Sequence, residues 1–135
     1  MIGKIQERPY RSLVENYLSR CHGRLSVQLL PCRDDAELMR RFGEREWTVA
    51  LDERGTTPDS LGFSQWLSGH FNAGRQKVSV FLGGSAGLPA EIKTKSRERL
   101  ALSRLTLNHQ LALLVFAEQL YRGTSILFGE PYHKA

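Results

Sequence analysis

A glycine-rich loop in the second half of the chain could hold a ligand through its backbone. It runs from Gly83 to Gly87 and follows a β-branched run that ends at Leu82. Glycines at such a place let the backbone approach a ligand closely and expose its N–H donors. The loop has neither the Gly-Lys-Ser/Thr ending of a phosphate-binding loop nor a GxGxxG spacing. By itself it indicates either a ligand loop or a tight turn between a strand and a helix.

The segment from Leu102 to Gln110 interleaves small polar side chains with leucines. Such a mixture suits an adenine pocket, which is mainly apolar and leaves backbone groups to bind the edge of the base. It also suits a buried strand that leads into a helix capped by Asn108. Both interpretations can hold at once.

The last residues of the chain carry side chains that could act on a nucleic-acid base. Tyr132 could stack on a base, and His133 could take or hold a proton near neutral pH. Arg122, near the end of the most apolar helical segment, could bind a phosphate group of the nucleic acid. It could equally be a surface charge that suits the end of a helix dipole.

Hydrophobic periodicity alternates between helical and extended segments, which must position these residues. Helices are predicted over Tyr10–Cys21, from Asp34 or Asp35 to Phe42, over Ser60–Phe71, near Pro89 and over Gln110–Tyr121, where Gly123 is the stop signal. Strands are predicted over Leu25–Pro31, Trp47–Leu51 and Lys77–Leu82. The second of these strands is predicted to close in a turn at Asp52–Gly55, and Leu100–Leu107 is predicted as a strand or an extended loop. The predicted buried face of the first helix consists of Leu13, Val14, Tyr17 and Leu18.

This alternation predicts an α/β fold with a mainly parallel sheet and helices on both faces. In such sheets, ligands usually bind beyond the carboxyl ends of the strands. The rule selects three loops, which follow Leu51, follow Leu82 and surround Leu105.

Composition restricts the class of protein further. A chain of 135 residues fits a single domain, residues 1–135, and 41% hydrophobic residues can provide one core. The net charge of +5 suits a polyanionic partner, because neutralised phosphates release counterions. The sequence contains no apolar run of membrane-spanning length and no signal peptide at its start, so we expect a cytoplasmic protein.

Side chains that could bind a metal or react as nucleophiles are scattered along the sequence. Cys21 and Cys32 belong to no CxxC pair, and no Cys/His cluster has zinc-like spacing. We therefore expect two reduced, partly buried thiols and no metal site. His22 and His70 have no chemically suited neighbours in the sequence and are interpreted as structural or surface residues.

Taken in order, these segments resemble the SPOUT-class (α/β-knot) ribosomal RNA large subunit methyltransferase H family. That family has a strand ending in Leu-Asp, a Gly-Gly-Pro-Glu-Gly-Leu loop, Leu-Ser-x-Leu-Thr-Leu-Pro-His, a helix with Ala-Glu-x-Leu-Tyr-Arg, and a terminal Pro-Tyr-His-Lys/Arg. The corresponding segments are Leu51-Asp52, Gly83–Leu88, Leu102–His109, Ala117–Arg122 and Pro131–Lys134. The match covers about two thirds of the chain, from Trp47 onward. The order of the segments and the tail make it specific.

The resemblance implies a fold, an assembly and a cofactor. The fold would be an α/β knot, in which the C-terminal segment threads a loop to form a deep trefoil knot, an exception to the rule against threaded chains. The family works as a homodimer that binds S-adenosylmethionine in the knot. The implied cofactor contacts are Leu51, Gly83, Leu102, Ser103, Arg104, Leu105, Thr106 and Leu107.

The reaction implied by the resemblance is methyl transfer to N3 of a pseudouridine in 23S ribosomal RNA, on assembled ribosomes. Because the sulfonium already makes the methyl electrophilic, the enzyme needs in-line positioning and help in removing the imide proton. His133 would be catalytic by supplying or relaying that help, and Tyr132 by positioning the base. Arg122 and Lys134 would hold phosphate.

Three departures from the family pattern leave other functions open. Ser85-Ala86 replace Pro-Glu, Asn108 replaces a proline, and Met1-Ile2 directly precede Gly3-Lys4 where the family has an apolar interior strand. Either the chain starts late, or a divergent member compensates for exposed sheet edges. The alternative function is a non-catalytic, dimeric knotted RNA-binding relative. A flavodoxin-like nucleotide-binding or signalling domain would explain the alternation of helices and strands. It would not explain the residues of the tail or the position of the glycine loop late in the chain.

Overall fold

A computed structural model describes residues 8–21, 23–43, 47–75, 77–84 and 87–134. These residues form a three-stranded sheet with helices packed against it, so the predicted α/β class is confirmed. In chain order the elements are α1 (Arg8–Arg20), α2 (Asp35–Gly43), β1 (Thr48–Thr56), α3 (Ser60–Asn72), β2 (Ser79–Phe81), α4 (Ala90–Lys95), β3 (Glu98–Leu100) and α5 (His109–Leu127). Each predicted helix is present, although the bounds differ.

The sheet has the order β2-β1-β3, and both pairs of strands are parallel, as predicted. Ala50 of β1 lies opposite Phe81 of β2, and Leu51 lies opposite Leu100 of β3. Successive residues of a strand point to opposite faces. Val49 packs with residues of α3 and α5, whereas Ala50 packs with residues of α2 and α4. Helices therefore cover both faces of the sheet.

The central strand β1 is longer than the sequence predicts. It continues to Thr56, but Leu51 and Thr56 both lie opposite Leu100, so residues 52–55 form a bulge within the strand and do not close it in a turn as predicted. Gly55 explains the continuation, because a Cβ there would lie 2.7 Å from the backbone carbonyl carbon of Arg99. Asp, Glu and Gly are poor strand residues, but the close approach of two backbones overrides that local preference.

Side chains cap the starts of two helices, as the sequence predicts. Asn108 accepts a hydrogen bond from the backbone N of Leu111 at 2.9 Å at the start of α5. At α2, Asp34 accepts from the backbone N of Glu37 at 2.9 Å, and the carboxylate of Glu37 accepts from the backbone N of Arg33 at 2.9 Å. These bonds satisfy N–H groups that a helix start leaves unpaired.

The predicted end of the last helix is wrong. Gly123 is buried within α5 and does not stop it. A Cβ at this position would lie 3.4 Å from side-chain carbons of Leu67 and Phe63, so the glycine lets α3 pack closely against α5. The helix continues to Leu127 and is followed by Gly129, whose φ of +68° is typical of a helix stop.

Helix α1 buries a narrower face than predicted. Val14 is fully buried, and Tyr17 and Leu18 are half-buried against residues of α5. Leu13 is 46% exposed, so its place on the buried face is wrong. Successive helical residues are rotated by about 100°, which carries Leu13 to the rim when Val14 points inward.

The segment predicted as a strand over Leu25–Pro31 is extended, but that prediction is wrong, because these residues join no sheet in the part of the chain that the structure describes. A cavity of about 490 Å³ is lined by Ser26–Leu30 of this segment and by Val78–Leu82 in and around β2. Helices from both faces of the sheet also line the cavity. Residues Met1–Lys4, where the sequence indicates that the N-terminal strand of the family is short or missing, lie outside the described residues.

The described ranges contain no helix long and apolar enough to cross a membrane, and no group of His, Cys, Asp or Glu side chains that could hold a metal ion. Cys21 and Cys32 are both buried and form no disulfide, where the sequence predicts reduced, partly buried thiols. Burial raises the pKa of the Cys21 thiol, and a hydrogen bond with Thr124 opposes that shift. A buried thiol with a raised pKa reacts slowly, because only the thiolate is nucleophilic.

Candidate active site

The carboxyl ends of the three strands bring the predicted loops together. Leu51 of β1, Leu82 after β2, and Leu102 and Leu107 after β3 belong to one hydrophobic cluster. We call these four residues the leucine floor. The buried residues that the helices contribute to this cluster are Val14 of α1 and Ala112, Leu113 and Ala117 of α5. The three loops that strand topology selects are therefore neighbours in space.

Polar contacts tie the loop after β3 to the long central strand. Thr106 Oγ1 donates to Glu53 Oε2 at 2.7 Å. Within the loop, the backbone N of Leu105 donates to Ser103 Oγ at 2.9 Å. Because β1 continues past the predicted turn, it supplies the carboxylate that holds this loop. Ser103 is half-buried beside the leucine floor, whereas Leu105, Thr106 and Arg104 are exposed.

The backbone of the glycine loop folds back on itself. Gly84 and Gly87 form an antiparallel bridge in which Gly87 N donates to Gly84 O at 2.9 Å. A Cβ at Gly83 would lie 2.3 Å from the carbonyl carbon of Gly87 and 2.5 Å from the N of Leu88. The loop is thus a tight turn directly after β2, beside the leucine floor. The departure Ser85-Ala86 lies outside the described residues.

A buried carboxylate lies where β1 passes the leucine floor. Asp52 is 7% exposed and accepts from the backbone N of Arg54 at 3.3 Å, while the guanidinium of Arg99 lies 4.0 Å away. The sequence indicates Asp52 only as the second residue of a Leu-Asp pair. Its burial depends on the longer β1, which the sequence did not predict.

The C-terminal tail lies against α1 and α5. The ring of Tyr132 meets the ring of Tyr121 edge-on with centroids 4.5 Å apart, and the guanidinium carbon of Arg122 lies 4.8 Å from the centroid of Tyr132. Tyr17 of α1 lies near enough to Tyr132 to help raise the pKa of its phenol. His133 Nδ1 lies 3.0 Å from Arg122 Nη1. Two predicted catalytic residues and one predicted phosphate-binding residue are thus in contact.

Arg122 lies inside α5 rather than near its end. Its Nε donates to Glu118 Oε1 at 2.6 Å, and its Nη1 contacts His133. The side chains of Arg122 and Glu118 are 24% and 19% exposed, so this ion pair is mostly buried. Lys134 is exposed. Sequence reasoning missed Glu118 and Tyr17, although the i, i+4 spacing of Glu118 and Arg122 on one helix could have indicated the first.

The predicted site residues therefore form two groups, one around the leucine floor and one around the tail. Tyr17 lies close to both groups, because it packs against the cluster that contains the floor and helps to raise the pKa of Tyr132. Tyr132 and His133 contact Tyr121 and Arg122 of α5, and Glu130 pairs with Arg24 at 3.5 Å.

The phenol of Tyr132 is held in its protonated form. Burial is the largest of the effects that raise the pKa of Tyr132 to about 12. The hydrogen bond with Tyr17 and the negative charge of Glu118 act in the same direction, and the positive charge of Arg122 opposes them. At neutral pH this hydroxyl can therefore donate a hydrogen bond but cannot accept a proton as a base.

This pKa predicts how the docked tail responds to alkali. The folded-state pKa of Tyr132 lies above the ordinary value of about 10, so its contribution to stability is complete below about pH 10 and is lost as the pH rises toward 12. A titration of tyrosinate absorbance should show a late step that Tyr132→Phe removes. A wild-type titration that Tyr132→Phe leaves unchanged above pH 10 would contradict this docking.

Comparison with known proteins agrees with the resemblance of the motifs. The family model described as "Predicted SPOUT methyltransferase" matches residues 1–133. The chain is 38% identical to the ribosomal RNA large subunit methyltransferase H of Anaeromyxobacter sp. (strain K), over 98% of this chain and 95% of that protein. Proteins of the same name from Synechococcus sp. (strain CC9311) and Syntrophomonas wolfei are 38% and 35% identical, over 99% and 98% of this chain and 93% and 96% of their own length. The chain therefore belongs to the SPOUT methyltransferase family.

Proposed function

We propose that this enzyme transfers a methyl group from S-adenosylmethionine to N3 of a pseudouridine in large-subunit (23S) ribosomal RNA, on assembled ribosomes. The observation that carries the proposal is the meeting of three strand-end loops at the leucine floor, which Tyr17 links to a tail with Tyr132 and His133. The names of the relatives support the class of RNA, and the family supports the reaction.

The residues at the strand ends fit the proposed cofactor. The leucine floor offers the apolar surface that an adenine pocket requires, and Ser103 and Thr106 are polar groups on the adjoining loop. The proposed contacts are Leu51, Gly83, Leu102, Ser103, Arg104, Leu105, Thr106 and Leu107. S-adenosylmethionine, when bound, supplies an electrophilic methyl group. Gly83 acts by letting the loop close on itself.

The tail and Arg122 are the proposed substrate contacts. Tyr132 positions the base through its ring and its protonated hydroxyl. His133 assists the loss of the imide proton, because N3 must lose that proton before its lone pair can attack. Lys134, together with the guanidinium N–H groups of Arg122 that remain free, holds phosphate, in keeping with the net charge of +5.

The proposal includes the deep trefoil knot of the C-terminal segment and a homodimer. Tyr132 and His133 contact Tyr121 and Arg122 of their own chain, whereas the leucine floor lies at the strand ends, and this division into two groups supports a site that a second copy completes. Light scattering of the purified protein should give twice the mass of the 15.3 kDa chain. A monomer at assay concentration would remove the homodimer from the proposal.

The direct test is mass spectrometry of ribosomal RNA after incubation of the purified protein with S-adenosylmethionine and assembled, unmethylated large subunits. We expect one added methyl group on a pseudouridine-containing fragment of the 23S RNA. Naked RNA serves as the comparison substrate and should react less. Assembled subunits that gain no methyl group would contradict the proposal.

Calorimetry with the cofactor separates the enzyme from the non-catalytic alternative. Micromolar binding is expected, whereas no binding at millimolar cofactor would favour an RNA-binding relative. The alternative is not favoured, because relatives that match nearly the whole chain are named methyltransferases. One departure that suggested it, Asn108, has a structural role as the cap of α5.

Replacement of His133 with alanine should abolish methyl transfer while cofactor binding stays nearly intact. A group that assists proton removal typically contributes about 10²- to 10⁴-fold to the rate. The rate is measured as methyl incorporation into large subunits, and calorimetry with S-adenosylmethionine is the control for an intact cofactor site. Full activity of His133→Ala would remove His133 from the mechanism.

A further inference from the structure

A hydrogen-bonded series of side chains runs from inside α5 to the tail. Glu118 Oε1 accepts from Arg122 Nε at 2.6 Å, and Arg122 Nη1 lies 3.0 Å from His133 Nδ1. The other carboxylate oxygen of Glu118 accepts from the amide of Gln119 at 3.2 Å. The guanidinium of Arg122 also lies over the ring of Tyr132. These contacts fix the guanidinium in the position from which it meets His133.

The chemistry of arginine decides which ring nitrogen of His133 carries the proton. A guanidinium donates hydrogen bonds and cannot accept them. Nδ1 of His133 must therefore accept with its lone pair, so in the neutral ring the proton lies on Nε2. Within the residues that the structure describes, the Nε2 of His133 has no hydrogen-bond partner in the protein.

His70 has the same contact with an arginine, but there the second nitrogen already has a partner. Arg75 Nη1 lies 3.3 Å from Nδ1 of His70, and Nε2 of His70 lies 3.0 Å from the carboxylate of Glu98. Since an ionised carboxylate only accepts, Nε2 of His70 donates. Both histidines therefore present an Nε2–H group. At His70 a carboxylate accepts that hydrogen, and at His133 it remains available for a ligand.

We propose that Glu118 is a positioning residue that, through Arg122, fixes His133 as an Nε2–H donor toward the RNA base. This inference rests on the proposed function and gives His133 the role of a donor rather than a proton acceptor. N3 of pseudouridine lies between two carbonyl groups. A hydrogen bond from Nε2–H to one of these oxygens stabilises the anion that forms when N3 loses its proton. The proton passes to water, because His133 has no free lone pair in this tautomer.

The test is nitrogen-15 NMR of the histidine rings in the full chain, about two pH units above the ordinary histidine pKa of about 6.5. The signals of His133 are assigned by their loss in His133→Ala. In the wild type we expect a protonated Nε2 and an unprotonated Nδ1, with His70 as an internal reference for that tautomer. Glu118→Gln keeps an acceptor oxygen for Arg122 and should keep this signature. Glu118→Ala should move the signals toward the average of the two tautomers.

Glu91→Ala is the matched control, because Glu91 also pairs with a cation four residues later, Lys95, but on an exposed face of α4. It should leave the His133 signals unchanged. We expect Glu118→Ala to slow methyl transfer about 10- to 100-fold, because Arg122 then no longer holds His133 in place and the loss of orienting groups around metal-bound histidines has an effect of that size, and to leave cofactor affinity unchanged.

Two results would overturn the inference: a wild-type His133 that is protonated on Nδ1, or a tautomer that Glu118→Ala does not change. The NMR measurement needs neither RNA nor cofactor. A wild-type protein with the expected tautomer that methylates no ribosomal RNA would therefore count against the proposed function and not against the positioning of His133 by Glu118.

Discussion

Alanine in place of Gly83 is expected to weaken the binding of S-adenosylmethionine by at least about 100-fold, which corresponds to about 2.8 kcal/mol. The added Cβ would lie 2.3 Å from the carbonyl carbon of Gly87 and 2.5 Å from the N of Leu88. Both are backbone atoms, which cannot move aside as the end of a side chain can, so the loop after β2 must open beside the leucine floor. Calorimetry measures the affinity, and circular dichroism checks that the chain is folded.

Gly69→Ala is the matched control for this substitution. Gly69 lies in α3, and nothing lies within 4 Å of a Cβ at that position. Alanine is a better helix former than glycine by up to about 1 kcal/mol, so this variant should be slightly more stable and bind the cofactor normally. If Gly83→Ala binds as tightly as the wild type, the glycine loop is not part of the cofactor site.

The second large effect is expected at Glu98, whose carboxylate accepts hydrogen bonds from both tryptophans and a histidine. The distances are 3.0 Å to Trp47 Nε1, 3.2 Å to Trp66 Nε1 and 3.0 Å to His70 Nε2. Glu98→Ala should lower the free energy of unfolding by about 2–4 kcal/mol, because each buried donor without a partner costs about 1–3 kcal/mol and water replaces part of that loss. Urea unfolding followed by circular dichroism measures the change.

Two further substitutions separate the role of this carboxylate from a general effect of charge. Glu98→Gln keeps one acceptor oxygen and should lose less stability than Glu98→Ala. Glu91→Ala removes an exposed ion pair with Lys95 and should change the free energy of unfolding by no more than about 0.5 kcal/mol. If Glu98→Ala and Glu91→Ala unfold at the same urea concentration, the indole hydrogen bonds contribute nothing measurable.

Local signals in the sequence were sufficient for the helix starts and for the region of the site. Asn108 and Asp34 cap helices as predicted, because a capping side chain acts on N–H groups only three residues away. The proximity of the loops after Leu51 and Leu82 follows from parallel strand topology, which aligns carboxyl ends at one edge. The resemblance of the motifs predicted the family, which the comparisons confirm.

The errors arise where contacts between distant segments decide the structure. A glycine often marks the end of a helix or a turn, and the sequence predicts these roles for Gly123 and Gly55. In the structure, Gly123 instead allows the close approach of α3, and Gly55 allows the close approach of β3. The local sequence does not indicate which distant element will pack against each glycine. Residues 25–31 have a strand-like composition, yet residues 25–30 line a cavity together with residues of β2, and the segment joins no sheet among the described residues.

The polar part of the site was predicted incompletely for a similar reason. Arg122, Tyr132 and His133 were selected individually, and only the folded chain shows that one guanidinium contacts both tail residues. Glu118 was missed because a helical i, i+4 ion pair is usually a surface feature of little consequence. The burial of this pair, which distinguishes it, depends on how the tail folds back.

The hydrogen bonds of Glu98 have a spectroscopic consequence. The chain has two tryptophans, and both indoles donate to that one carboxylate at the amino ends of the strands. Intrinsic tryptophan emission therefore originates from a single region, where the guanidinium of Arg75 also lies 3.6 Å from the centroid of the Trp47 ring. Emission should change when this end of the sheet unfolds, and it should stay nearly constant when a ligand binds at the opposite, carboxyl edge. A fluorescence assay of ligand binding therefore requires a fluorophore introduced at that edge.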